Sequence, residues 1–139
     1  MATALVAVAV LLAGCSGGTV SAPSGAAATA LPAAGTSLSP ADFAAAAKLP
    51  NTVLLDVRTP SEFAAGHIAG AVNLDVQSPA FTQAVTTLDT AKSYAVYCHS
   101  GNRSKTAMSA MQQHGIRHVF DLDGGIAAWQ SAGGQIATG

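Results

Sequence analysis

The run Tyr94-Ala-Val-Tyr-Cys-His-Ser-Gly-Asn-Arg-Ser104 changes character at Cys98. Tyr94 to Tyr97 is a short apolar segment of the kind that fills a buried strand. Cys98 follows at its carboxyl end, and Ser104 to Gln113 reads as a helix ending at Gly115, a good C-terminal stop. A strand, loop and helix in this order turn backbone N–H groups and the positive helix end into the loop. Such surroundings bring a cysteine from a pKa near 8.5 down to about 3.5–7.5, so the sulfur is held as thiolate. Gly101 lets the loop turn where a Cβ would obstruct it. Cys98 is therefore a candidate nucleophile, and the backbone of His99, Ser100, Gly101, Asn102, Arg103 and Ser104 a candidate cradle. The competing reading is an inert core cysteine, against which the Gly- and Arg-containing loop weighs.

Charge around the loop points the same way. Between Thr90 and Phe120 there is no Asp or Glu, yet Lys92, Arg103, Lys105 and Arg117 all lie there, with three of the four histidines. An anionic substrate meets a favourable face. Over the whole chain of 139 residues the net charge is −1, which excludes a strongly basic nucleic-acid binder. Two cysteines cannot make a disulfide scaffold.

Only 9% of the residues are charged, and all of those fall between Asp42 and Asp123. The 41 residues before Asp42 divide in two. Ala4 to Ala13 is an uninterrupted apolar run, shorter than the roughly 20 residues a membrane span needs. It fits the core of a signal peptide, and the tetrad in which it ends, Leu12-Ala-Gly-Cys15, resembles the lipobox of bacterial lipoproteins. The resemblance implies cleavage after residue 14, a lipid on Cys15 and an extracytoplasmic, membrane-anchored protein. Residues 15–37 are mostly Ala, Gly, Ser, Thr and Pro and read as a flexible tether. The folded domain is expected over residues 38–137.

Within it, Ser39-Pro40, Thr59-Pro60 and Ser78-Pro79 each place a capping hydroxyl before a proline at the first helical position. Helices are expected over Pro40–Lys48, Pro60–Ala65 and Pro79–Leu88, with a last one near Ile126–Ala132 burying Trp129. Thr59 and Glu62 also form a capping-box pattern. Strands are expected over Val53–Val57, Ala71–Leu74, Tyr94–Tyr97 and His118–Leu122. The alternation indicates an α/β fold with a mainly parallel sheet covered on both faces.

Four segments taken together look like a single-domain rhodanese: Leu54-Leu-Asp-Val-Arg58, Glu62-Phe-Ala-Ala-Gly-His-Ile-Ala-Gly-Ala71, Cys98-His-Ser-Gly-Asn-Arg-Ser104 and Leu122-Asp-Gly-Gly-Ile-Ala-Ala-Trp129. The resemblance implies a five-stranded parallel sheet flanked by helices on both faces. It implies a sulfurtransferase in which Cys98 carries sulfane sulfur as a persulfide, the loop cradles that sulfur and Arg103 helps bind a small anionic donor such as thiosulfate. The acceptor would be cyanide or a thiol, no metal or organic cofactor is called for, and a monomer is expected. Asp56, Arg58, Glu62 and His67 would mainly support the scaffold.

Two other readings stay beside it. Phosphatases and arsenate reductases of related fold use a loop one residue longer, C-x5-R, whereas Cys98 to Arg103 is C-x4-R. A non-catalytic binding module of the same fold is the other. Asp121 and Asp123 suggest a metal at first sight, but without further spaced oxygens they read as loop acids.

Overall fold

The computed structural model describes Ala28 and residues 30–139. The apolar segment, Cys15 and most of the tether lie outside the described residues. Ten elements follow in order: β1 Ser37–Leu38, α1 Pro40–Ala47, β2 Thr52–Asp56, α2 Pro60–Ala65, β3 Val72–Asn73, α3 Phe81–Thr86, β4 Ser93–Tyr97, α4 Asn102–Gln113, β5 His118–Leu122 and α5 Gly125–Ser131. The strands form one sheet in the order β1-β5-β4-β2-β3, and every neighbouring pair is parallel. This is the five-stranded α/β sheet expected from the sequence.

All five residues of β4, the central strand, are buried, as a parallel strand covered on both faces requires. Side chains alternate across it. Tyr94 and Val96 join Val119, Ala107, Met108 and Met111 under α3 and α4, while Ala95 and Tyr97 join Phe43, Phe120, Leu122 and Ile126 under α1 and α5.

Helix starts follow their caps. The Ser39 side chain accepts from the Asp42 N–H at 3.3 Å, with Pro40 leading α1. At α2 both halves of the capping box form: Glu62 N–H donates to Thr59 Oγ1 at 3.3 Å, and Thr59 N–H donates to Glu62 Oε2 at 3.1 Å.

Four expectations are corrected. Helix α3 begins at Phe81 rather than Pro79, because Ser78 turns the chain instead, its carbonyl accepting from Phe81 N–H at 3.0 Å. Helix α4 begins at Asn102, two residues before the expected start, because Gly101 adopts a left-handed conformation (φ 99°) directly before it. The fold also reaches into the expected tether. Gly35 N–H donates to Val119 O at 2.7 Å, and Ser37 pairs with Asp121 along the edge of β5. Trp129 is only half-buried, its indole N–H donating to Gln135 O at 2.9 Å.

In an open parallel sheet, sites form outside the carboxyl ends of the strands where connections diverge. Here the chain leaves β2 toward β3 at one edge and leaves β4 toward β5 on the other side. The crevice between the ends of β2 and β4 therefore receives Thr59 and Glu62 from one side and Cys98 to Arg103 from the other.

Candidate active site

Cys98 leaves the end of β4 at 1% exposure, packed among the α3/α4 core residues. What separates it from a core cysteine is its polar surroundings. Gly101 N–H donates to Cys98 Sγ at 3.0 Å, and Ser104 Oγ lies 3.7 Å from the sulfur. Burial pushes the thiol up. The backbone N–H groups of Ser104, Gly101 and Ser100 outweigh it, leaving the thiol below its ordinary value.

The loop's orientation is enforced from outside. Ile126 N–H donates to Cys98 O at 2.9 Å and Ala127 N–H to His99 O at 3.2 Å, both from the start of α5. With its carbonyls drawn toward α5, the loop leaves its own N–H groups for the sulfur. Gly125 permits this approach: its φ is 60°, and a Cβ there would lie 2.5 Å from the backbone of Cys98 and His99. Sequence reading placed a helix near Ile126 but did not anticipate that its first turn backs the cysteine loop.

Arg103, expected at the donor, points both terminal nitrogens at Glu62, Nη1 to Oε2 at 2.8 Å and Nη2 to Oε1 at 2.7 Å. The Arg103 guanidinium holds the Glu62 carboxyl at about 2, well below the usual carboxylate range, and Glu62 raises Arg103 in turn. Glu62 therefore caps α2 and clamps the first turn of α4 with the same carboxylate. His99, Ser100 and Asn102 are exposed at the loop rim, and Gly101 and Ser104 are buried beneath it. Lys105 Nζ reaches back to Gly101 O at 3.2 Å.

Asp56 and Arg58 form a second pair at the end of β2, and His67 follows the Gly66 carbonyl that Arg58 holds. Arg58 Nε donates to both Asp56 oxygens at 2.9 and 3.0 Å, and its Nη2 donates to Gly66 O at 2.6 Å. Burial lowers Arg58 but the Asp56 carboxylate outweighs it, so the net shift is upward. His67 Nδ1 meets Phe63 O at 2.9 Å while its ring stacks on Phe63 at 3.8 Å.

Asp121 is the residue that sequence reading misplaced. It is no loop acid but a fully buried member of β5. Its Oδ2 accepts from Ser104 Oγ at 2.7 Å and its Oδ1 from Ser37 Oγ at 2.6 Å. Period-two alternation already held the signal. Phe120 and Leu122 face α1 and α5, so Asp121 between them faces α4, where an apolar residue is the ordinary occupant. Among the described residues no cluster of His, Cys, Asp and Glu is arranged to hold a metal ion.

Residues 39–132 match the Rhodanese-like domain family. The chain is 35% identical over 88 residues to a thiosulfate sulfurtransferase GlpE of Pseudomonas entomophila, covering 63% of this chain and 79% of that one. It is 38% identical over 78 residues to the protein of the same name from Pseudomonas aeruginosa, covering 56% and 69%. Among solved structures, a rhodanese-related protein from Thermoplasma volcanium superimposes with a TM-score of 0.65 at 32% identity, covering 73% of this chain and 97% of that one. A rhodanese-like domain from Anabaena gives 0.65 at 26% identity, covering 73% and 78%. With its five-stranded parallel sheet, its C-x4-R loop at the end of the central strand and a family match over most of the described domain, this chain belongs to the rhodanese-like domain family.

Proposed function

We propose that the protein is a rhodanese-type sulfurtransferase that takes sulfane sulfur from a small anionic donor such as thiosulfate. The observation that carries this reading is the Gly101 N–H aimed at Cys98 Sγ at 3.0 Å, in a loop whose N–H groups favour the thiolate. Relatives named thiosulfate sulfurtransferase at 35–38% identity support the donor class.

The reaction is a double displacement. Thiolate Cys98 attacks the outer sulfur of thiosulfate, the donor S–S bond breaks, and sulfite leaves with the bonding pair. The product is a cysteine persulfide whose charge rests on the outer sulfur, within reach of the loop N–H groups. Cyanide or a thiolate then attacks that outer sulfur, and Cys98 leaves as thiolate. The C-x4-R loop encloses a smaller ring than the C-x5-R loop of related oxyanion-handling enzymes and so suits a sulfur atom better than a phosphate.

Intact mass after thiosulfate treatment tests this. A gain of one sulfur, about 32 Da, that disappears in Cys98→Ser is expected; no gain on the native chain would favour a binding module. Release of phosphate from an aryl phosphate, with no thiocyanate formed from thiosulfate and cyanide, would sink the assignment.

The same proposal places the enzyme on the extracytoplasmic side of a bacterial membrane, as a monomer on a tether held by lipid on Cys15. The apolar run Ala4 to Ala13, ending in Leu12-Ala-Gly-Cys15, supports it. Radiolabelled palmitate should enter the native chain and not Cys15→Ser; equal labelling of both would refute the anchor.

A further inference from the structure

Asp121 is the buried charged group that the reaction above leaves unused. It sits at 0% exposure on β5, beside Val96 of the central strand and beneath the first turn of α4. Three groups face it: the Ser37 hydroxyl of β1 at 2.6 Å, the Ser104 hydroxyl of α4 at 2.7 Å, and Lys105 Nζ of α4 at 3.9 Å. Ser104 is also the neighbour of Cys98 and has one proton to give. Its oxygen lies 2.7 Å from the Asp121 carboxylate, 3.1 Å from Gly101 O and 3.7 Å from Cys98 Sγ. The shortest contact is to the charged acceptor, and charge-assisted hydrogen bonds are about twice as strong as neutral ones. The proton therefore lies toward Asp121, and the Ser104 oxygen turns a lone pair to the sulfur.

We propose that Asp121 is a positioning residue for sulfur loading, withholding the Ser104 proton from Cys98 so that negative charge is sheltered less on Sγ than on the outer sulfur of the persulfide. The inference rests on the sulfur-transfer reading. In the free thiolate the charge is on Sγ, next to the Ser104 lone pair, with the Asp121 carboxylate one hydrogen bond further on. Once the outer sulfur is attached, Sγ is neutral and the charge has moved away from both. A thiolate sheltered less is also the better nucleophile, because nucleophilicity falls as thiol pKa falls.

Asp121→Asn separates this role from a structural one. Asparagine keeps the shape, its carbonyl still accepts from Ser37, and its amide donates to Ser104 Oγ, which frees the Ser104 proton for the sulfur. The pH profile of Cys98 alkylation by iodoacetamide should then shift downward by about one unit, since both the lost like charge and the gained donor favour thiolate. The yield of persulfide at a fixed, sub-saturating thiosulfate concentration should fall several-fold. In a Ser104→Ala background the same Asp121 substitution should move the midpoint much less. An unmoved or raised midpoint in Asp121→Asn overturns the proposal, as does an equal shift with and without Ser104.

Should Asp121→Asn fail to fold, Ser37→Ala at the exposed edge strand carries the test. It removes the competing donor from Asp121, strengthens its hold on Ser104 and should raise the midpoint; an unmoved or lowered midpoint overturns the proposal. Alkylation needs no sulfur donor, so an unshifted profile beside a normal 32 Da gain sinks this inference alone. Absence of the gain in the native chain sinks the sulfur-transfer reading.

Discussion

Arg58 and Arg103 each grip a carboxylate with two nitrogens, yet the side chains of the Arg58–Asp56 pair are 6% and 0% exposed, and those of Arg103–Glu62 are 26% and 33%. Both pairs hang from the crevice where β2 and β4 part. The difference lies in what each joins. Arg58 fastens the chain just after β2 to itself and to Gly66, within one stretch of sequence, and seals its charge from water. The second pair bridges 41 positions, from the start of α2 to the first turn of α4. One pair is a lock inside the scaffold, the other a solvent-washed clasp on the cysteine loop. Similar chemistry serves different ends because burial sets the dielectric in which it acts.

Breaking the buried lock should have the largest effect. Arg58→Met leaves the Asp56 carboxylate at 0% exposure without its ion-pair partner, and removing one partner of a buried pair costs about 3–5 kcal/mol. Urea unfolding should show a fall of that size. A loss under about 1 kcal/mol would place Arg58 with the surface pairs.

The clasp should matter less to stability and more to the donor. Glu62→Gln keeps one oxygen for the capping box and removes the charge together with one of the two acceptors of Arg103, so unfolding should move by no more than about 1 kcal/mol, as for an exposed pair. Arg103 is then released toward the loop, and the KM for thiosulfate should fall a few-fold. A higher KM would show instead that Glu62 holds Arg103 in its donor-binding pose.

Acid gives the smallest and most specific contrast. Glu62 is held at about 2 when folded, below its ordinary value near 4.5, so the folded state binds its proton less readily than the unfolded chain. The stability it contributes is fully present above about pH 4.5 and is lost as pH falls through that value toward 2. Glu62→Gln should lack this component of the acid unfolding curve, and added salt should diminish it in the native chain. An identical acid limb in both proteins would mean that the Arg103 contact carries no linkage.

Local patterns were read well where the physics is local. Thr59, Pro60 and Glu62 define α2 to the residue because capping involves atoms three positions apart. Ser78-Pro79 shows the limit, since the same dipeptide can begin a turn when the following residues do not extend it into a helix. The edge strand Ser37–Leu38 was invisible for a related reason. Two residues carry no periodicity, and only the unpaired edge of β5 makes them a strand.

The sequence by itself determined the α/β sheet, the cysteine at the end of its central strand and the family to which the chain belongs, because strand alternation, proline caps and the C-x4-R spacing are properties of neighbouring residues. Only the tertiary structure decided which charges meet. Glu62 faces Arg103 because the chain leaves β2 and β4 in opposite directions, Gly125 lets α5 hold the loop carbonyls, and parallel pairing brings Asp121 of β5 beneath Ser104. These contacts join residues 17 to 41 positions apart, and no local spacing encodes a distance that only closing the sheet creates.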